Sequence, residues 1–426
     1  MLKPRKASPA ALDNVLLAHY ERAVRAPLVR SRPFVMLLDP VSACQLQCPM
    51  CPTGLENRGS VADDRERFRQ RGLMDTGLFD AIVDELGPWL YFVNLYNWGE
   101  PLLHKQLPRF VQRLNDHQVA TDIHTNLSLP LREEMLASLL AAGVDRVEAS
   151  IDGFSQGTYG RYRVRGDFAL ARDNLVRLAQ LRDRMGLQTQ LVWNFLVFRY
   201  NENEIGEARR FCADHGIEFV RREAAISEAM RVEFLPSYRE GEVLEGCFDQ
   251  RRQTFDPESL AARDAGSSCG WHYFYSVINH DGSVSPCCAP WEDDWDLGQV
   301  AAGGTRFADI WNSSAMQVAR GDVAGHRLLA ELRESGSLGE VRTVADLQRR
   351  GGICRGCQYP EGMLDLYTHY ANAILDDALQ RLPADSREAR LIALLRSDRD
   401  GFVQAYAAAP AHKAAAGTGL AAGVAG

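Results

Sequence analysis

Hydrophobic and polar positions along the chain alternate between two periods. Short apolar runs with strand character (34–38, 91–95, 120–124, 146–150, 190–198 and 218–222) are separated by stretches with helical spacing (78–86, 107–116, 132–142, 168–185 and 204–215). Strand followed by helix, repeated in this way, predicts a parallel sheet covered by helices. Six such units are too few for a closed eight-stranded barrel, so the pattern predicts an α/β fold, a partial (β/α)6 barrel. Its ligands are expected at the C-terminal ends of the strands.

Other segments frame this body. Leu12, Val15, Leu16 and Tyr20 predict a leading helix within residues 1–30, and the barrel is assigned to 31–224. Residues 225–268 carry many charges and no clean period, and read as a linker or bridging helix. A small Cys-rich domain is assigned to 269–363 and C-terminal helices to 364–408, with Leu364, Leu366, Tyr370, Ile374, Leu375 and Leu379 on one face of the first. The Ala/Gly-rich residues 409–426 read as a disordered tail. The polar stretch 56–70 reads as a solvated insertion, the alternative being a lid.

Composition narrows the class. The 426 residues are 46% hydrophobic and 24% charged, ordinary for a globular protein with a sizeable core. A net charge of −8 argues against a partner recognised by its phosphates, so no nucleic acid is expected. No signal-peptide core follows the basic first residues, and no run reaches the roughly 18 apolar residues of a membrane span. A cytoplasmic location with no membrane association is therefore expected, where the 10 Cys read as metal ligands or reactive thiols before disulfides.

Cys44, Cys48 and Cys51 lie within eight residues, just after the first apolar run. Three thiolates in one loop grip three corners of a metal cluster and leave the fourth open. An incomplete zinc knuckle is the competing reading of the spacing alone. The second strand ends in Asn97-Trp98-Gly99-Glu100-Pro101, the third in His124-Thr125-Asn126 and the fourth in Ser150-Ile151-Asp152-Gly153. Further on come Cys269, Cys287 and the pair Cys354 and Cys357, with Asn279-His280-Asp281-Gly282 reading as a hairpin turn that brings Cys269 and Cys287 together. Four thiolates suit structural zinc or a fully ligated iron–sulfur cube.

Taken together, these motifs resemble the radical S-adenosylmethionine (SAM) superfamily with a C-terminal auxiliary-cluster extension, of the SPASM or shorter twitch type. The resemblance covers roughly residues 31–360. It implies a [4Fe-4S] cluster on Cys44, Cys48 and Cys51 and an auxiliary [4Fe-4S] cluster on Cys269, Cys287, Cys354 and Cys357. It places SAM against Gly99, Glu100, Pro101, Thr125, Asn126, Ser150 and Asp152; Arg163 reads as a bidentate partner for the SAM carboxylate, the alternative being a surface salt bridge. Trp98 departs from the family pattern, which has Gly there, and Met50 stands where an aromatic residue is usual.

The activity so implied is hydrogen abstraction by a 5′-deoxyadenosyl radical, with flavodoxin or ferredoxin as external electron donor. An auxiliary cluster with no open site suits a two-electron dehydrogenation, as in a related dehydrogenase of aminocyclitol antibiotic biosynthesis. A small polar metabolite of sugar or aminocyclitol type is the expected substrate. The stretch before the first strand reads as too short for a leader-peptide-binding domain, which places a ribosomal-peptide maturase second. Epimerisation is the further alternative, with Cys288 or Cys247 as hydrogen donor. Cys212 reads as a core residue on a helix. The acidic, aromatic run Trp291–Trp295 reads as an exposed loop, the alternative being a pocket wall. From a different class, a non-enzymatic zinc-binding module is the rival.

Overall fold

The computed structural model describes residues 2–59, 69–224, 230–239, 255–263, 268–352, 354, 357 and 368–408. Helix α1 (Pro9–Ala23) leads, capped by the Ser8 side chain. Six strands then follow: β1 (Val35–Leu38), β2 (Phe92–Asn94), β3 (Ala120–Thr125), β4 (Arg146–Ser150), β5 (Gln190–Val197) and β6 (Glu218–Glu223). They pair in parallel in their sequence order, as the alternation predicts. Helix α2 (Pro52–Asn57) follows the first Cys loop, and α3 (Thr76–Leu86), α4 (Leu107–Asp116) and α5 (Glu133–Ala141) make the next crossovers. A short α6 (Gln156–Tyr162), which the periodicity does not reveal, precedes α7 (Phe168–Arg184) and α8 (Ile205–Asp214). Asp75 and Asp167 cap α3 and α7 by accepting backbone N–H bonds, which explains where those helices begin.

Successive strand residues point to opposite faces. Val147, Ala149, Leu191, Trp193 and Phe195 join the main apolar core beneath the helices, as does Cys212 on α8. The opposite face carries polar side chains at alternate positions, among them Asn94, Asp122, Glu148 and Asn194, all buried. A polar inner wall under an apolar outer layer is the feature that makes this sheet a container.

The sheet does not stop at β1. Strand β7 (Tyr275–Ile278) adds parallel to its free edge, with Val35 opposite Tyr275 and Leu38 opposite Ile278. Strand β8 (Val284–Ser285) returns antiparallel to β7. The expected hairpin is thus present, and it is also part of the core sheet, which period alone does not show. The helix Thr368–Arg381 packs on the body, burying Tyr370, Ile374 and Leu375; Leu364 and Leu366 lie outside the described residues. Tyr370 inserts on the inner face, its hydroxyl donating to Asn94 Oδ1 at 3.0 Å and its ring 4.7 Å from that of Phe92.

Two segments differ from the sequence reading. Within 225–268, Phe234 and Leu235 are buried with Leu46, Cys48, Tyr162 and Phe198 in a separate apolar cluster, so part of the bridging segment covers the first Cys loop. Arg69, at the end of the supposedly solvated stretch, is buried. In both cases the apolar or paired partner lies far away in sequence, where a local pattern cannot register it. The tail from 409 and Cys247 fall outside the described residues.

Candidate active site

Strand β1 ends against the first Cys loop, and side chains on both flanks hold that loop in place. Asn57 Nδ2 donates to the carbonyls of Cys44 and Leu46, at 2.8 and 2.6 Å. Gln45 Nε2 donates to Asn126 Oδ1 at 2.8 Å and to the Ser128 carbonyl at 3.0 Å. Gly54 on α2 sits so close that a Cβ would meet the Cys48 carbonyl oxygen at 2.3 Å. A side chain there would push the helix off the loop.

Cys44, Cys48 and Cys51 are all free thiols, Cys48 buried and the others half-buried. Burial raises the Cys44 pKa, and the charges of Glu100, Cys48 and Cys51 raise it further. Burial pushes Cys48 up to about 12, with the Arg163 guanidinium opposing. Crowded thiols without a disulfide are a donor set that a cationic iron centre satisfies by displacing their protons. Cys44 Sγ also accepts from the Leu46 N–H at 3.4 Å and from Asn126 Nδ2 at 3.7 Å, bonds of the kind that tune a cluster's potential.

The loop after β2 approaches this site from one side. A Cβ on Gly99 would stand 1.5 Å from the Val41 carbonyl oxygen, so only glycine fits. The departure at Trp98 therefore leaves the sterically required glycine in place. Glu100 is fully buried, and its backbone N–H donates to the Ala43 carbonyl at 2.8 Å. Its Oε1 accepts from Thr125 Oγ1 at 2.6 Å and from the Leu102 N–H at 3.0 Å; its Oε2 accepts from the Asn126 N–H at 2.8 Å. Burial raises the Glu100 pKa, while these donors and Arg163 pull it down. Thr125 and Asn126 thus stand one step back from the site, orienting Glu100, and Pro101 opens the tight turn that follows.

Asp152 and Arg163 form the opposite wall. Arg163 Nε donates to Asp152 Oδ2 at 2.6 Å, and Asp152 Oδ1 accepts the Leu196 N–H at 2.8 Å. Burial opposes the Arg163 charge, but Asp152 and Cys48 outweigh it and hold the guanidinium protonated. Its Nη1 lies 4.0 Å from Cys48 Sγ. Ser150 is half-buried at the end of β4, opposite Asn194 in register.

The second thiol set gathers at the far end of the β7–β8 hairpin. Gly282, at φ 88°, makes the turn that returns the chain, its N–H bonding to the Asn279 carbonyl at 2.9 Å. Burial raises the Cys287 pKa, and Cys288, Cys354 and Cys357 raise it further. Burial and Cys357 act in the same direction on Cys269, and burial, Cys357 and Cys269 on Cys354. The four thiols of the second set therefore feel one another, none is disulfide-bonded, and they fit a second iron–sulfur centre. Cys288 is half-buried beside Cys287.

A polar seam that sequence reasoning missed joins the two regions. Arg69 reaches Asp296, Ser283 Oγ at 2.6 Å and Ser285 Oγ at 3.2 Å. His280 Nδ1 lies 2.9 Å from Ser42 Oγ, which donates to Asp39 Oδ2 at 2.8 Å. In the Trp291–Trp295 run Glu292 is fully buried, Trp291, Asp293 and Trp295 are half-buried and only Asp294 is exposed; Trp291 meets Trp98 edge to face with ring centroids 6.5 Å apart. The exposed-loop reading of that run is corrected: Trp98 gives it an aromatic surface to cover.

Comparison with known proteins agrees with this geometry. A model of the radical SAM superfamily matches residues 39–212, and one of an iron–sulfur cluster-binding domain, SPASM, matches 269–358. A PqqA peptide cyclase of Granulibacter bethesdensis is 25% identical over 301 residues, 65% of this chain and 75% of that protein. A PqqA peptide cyclase of Gluconobacter oxydans is 24% identical over 299 residues, 67% of this chain and 78% of that protein. The crystal structure of BtrN in complex with AdoMet and 2-DOIA aligns with 77% of this chain and 94% of its own, at 16% identity and a TM-score of 0.40. The two family models fall on the stretches that carry the two thiol sets, and the chain belongs to the radical SAM superfamily, with a C-terminal SPASM domain and with SAM and iron–sulfur clusters as its cofactors.

Proposed function

We propose that the chain is a radical SAM oxidoreductase that removes two electrons and two hydrogens from a small polar molecule. In this reading Cys44, Cys48 and Cys51 hold the SAM-binding [4Fe-4S] cluster, and Cys269, Cys287, Cys354 and Cys357 hold the auxiliary one. Bound there, cluster and SAM supply hydrogen-atom abstraction by radical chemistry, fed by a reduced flavodoxin or ferredoxin. Gly99 lets the backbone approach closely, and Glu100, fixed by Thr125 and Asn126, offers a carboxylate to the SAM ammonium. Arg163, fixed by Asp152, presents positive charge beside Cys48. Phe234, Leu235 and Phe198 keep water from the loop.

The observation that carries the reading is the residue-by-residue pairing of β1 with β7. One strand runs into the first thiol loop and its neighbour into the hairpin of the second. Two redox sites on adjacent strands of one sheet keep a fixed separation, which suits an electron handed from substrate to auxiliary cluster. Similarity to the PqqA peptide cyclases supports a second reading, oxidative modification of a peptide on the same machinery. The test is iron, sulfide and zinc per chain after anaerobic reconstitution, followed by SAM cleavage with dithionite. About eight irons and SAM turnover support the proposal; about four irons with one zinc remove the electron acceptor and overturn the dehydrogenation.

A further inference from the structure

Two guanidinium groups reach the second thiol set from outside the SPASM match. Arg22, in the last turn of α1, donates from Nη2 to the Ser268 carbonyl at 3.1 Å, one residue before Cys269. Arg263, just after the short helix Pro257–Ala261, donates from Nη1 to the Cys357 carbonyl. Both residues are half-buried. Their partners lie 246 and 94 residues away along the chain, so no local pattern marks either contact.

Packing holds each group on its own side. The Arg22 guanidinium lies over the Phe274 ring, 5.5 Å from its centroid, and the ring of His19 on the same helix packs 4.6 Å from Phe274. Phe274 is fully buried directly before β7, and its carbonyl accepts the Phe34 N–H at 3.0 Å. On the other flank Leu260 is buried among Leu328, Leu329 and Leu332, and Asp256 caps the helix that carries it. The Arg263 N–H closes that helix on the Leu260 carbonyl at 3.3 Å. Charges fixed in this way act on a neighbouring centre with no cost of reorganisation.

The thiols between the two groups are crowded. Burial raises the pKa of Cys269, Cys287 and Cys354, and neighbouring sulfurs raise it further. The Trp271 N–H, the Arg22 charge and the His272 N–H pull Cys269 the other way. Thiolates gathered there concentrate negative charge, and a one-electron reduction of a centre they hold adds more. A fixed cation favours the more negative form and so raises the reduction potential. A guanidinium keeps its charge at any working pH.

From this arrangement, and resting on the assignment of the auxiliary [4Fe-4S] cluster to Cys269, Cys287, Cys354 and Cys357, we infer that Arg22 and Arg263 are positioning residues that raise the potential of that centre. They brace the backbone on two flanks of the thiol set and place positive charge at the electron-accepting end of the proposed reaction. α1 and the bridging segment thereby take part in the redox function of a domain to which neither belongs.

The test is a redox titration of the reconstituted full chain followed by electron paramagnetic resonance, with the first cluster identified by the response of its signal to SAM. Arg22→Gln and Arg263→Gln should each keep the iron content and make reduction of the auxiliary cluster about tenfold less favourable, a downward shift of about 59 mV for one electron. Arg22→Lys and Arg263→Lys, which keep the charge, should restore most of the shift, and the first cluster should not move. If one Gln variant loses auxiliary iron, the other carries the test; loss from both makes the residues structural and overturns the inference. An unmoved auxiliary potential, an equal shift in the Lys variants or an equal shift of the first cluster overturns it as well. Iron in the unaltered chain is counted first. About four irons with one zinc overturn the auxiliary-cluster assignment and this inference together, whereas about eight irons with unmoved potentials overturn this inference alone.

Discussion

Arg69 grips Asp296 with both terminal nitrogens, Nη1 to Oδ2 at 2.7 Å and Nη2 to Oδ1 at 2.8 Å. The two residues stand on opposite sides of the seam between the radical SAM core and the SPASM region, and both are largely shielded from water. A bidentate pair in such a place fixes orientation as well as proximity.

Breaking that pair leaves Asp296 buried and uncompensated. Arg69→Met is expected to cost about 3 kcal/mol or more, the range for losing one partner of a buried ion pair. Arg69→Lys should recover only part of it, because a point charge cannot reproduce two parallel bonds. Denaturant unfolding of the apo-protein measures both; a loss below about 0.5 kcal/mol would match a surface pair and contradict the clamp.

Gly99→Ala places a methyl group where the Val41 carbonyl oxygen stands. Neither backbone can yield without moving Glu100 or the first thiol loop. The variant should fold, fill its auxiliary site and show SAM affinity reduced by more than tenfold by equilibrium dialysis. Affinity equal to that of the unaltered protein would sever the glycine from SAM binding.

Glu100→Gln keeps the shape but replaces an acceptor oxygen with an amide that faces donors, either Thr125 and Leu102 or Asn126. SAM binding should fall by at least tenfold with iron content unchanged, the scale of a lost charged hydrogen bond. Loss of iron in parallel would assign Glu100 to holding the loop.

Asp39 offers a test by pH. Burial pushes its carboxyl up to about 7, with the Ser42 hydroxyl and the Arg69 charge pulling the other way. The folded state therefore holds this proton between about pH 4, where an unfolded Asp releases it, and about pH 7. Across that window the folded form binds more protons than the unfolded form, so Asp39's contribution to stability falls as pH rises. Asp39→Asn should gain stability relative to the unaltered protein from pH 4 to 7 and hold a constant difference above. A flat difference in paired melting curves would contradict the raised value.

Cys48→Ala should abolish SAM cleavage and leave about four irons per chain, those of the auxiliary site. Deoxyadenosine formation by this variant would remove Cys48 from the proposed ligand set.

What the sequence by itself determined is whatever local pattern encodes. Periods of two and near four placed the six strands and their crossover helices, because alternate burial on a sheet face and on a helix face leaves a direct mark on residue order. Cys44, Cys48 and Cys51 were legible because one loop must supply several ligands, and the Asn279–Gly282 turn because a hairpin needs a residue with positive φ. The tertiary structure alone decided what depends on chain distant in sequence. It paired β7 with β1, brought Phe234 and Leu235 over Cys48, and buried Arg69 against Asp296. It also turned Thr125 and Asn126 toward Glu100, and brought Arg22 and Arg263 to the flanks of the second thiol set. Each of these is a hydrogen bond or packing contact between segments tens to hundreds of residues apart, and neither partner carries a local sign of the other.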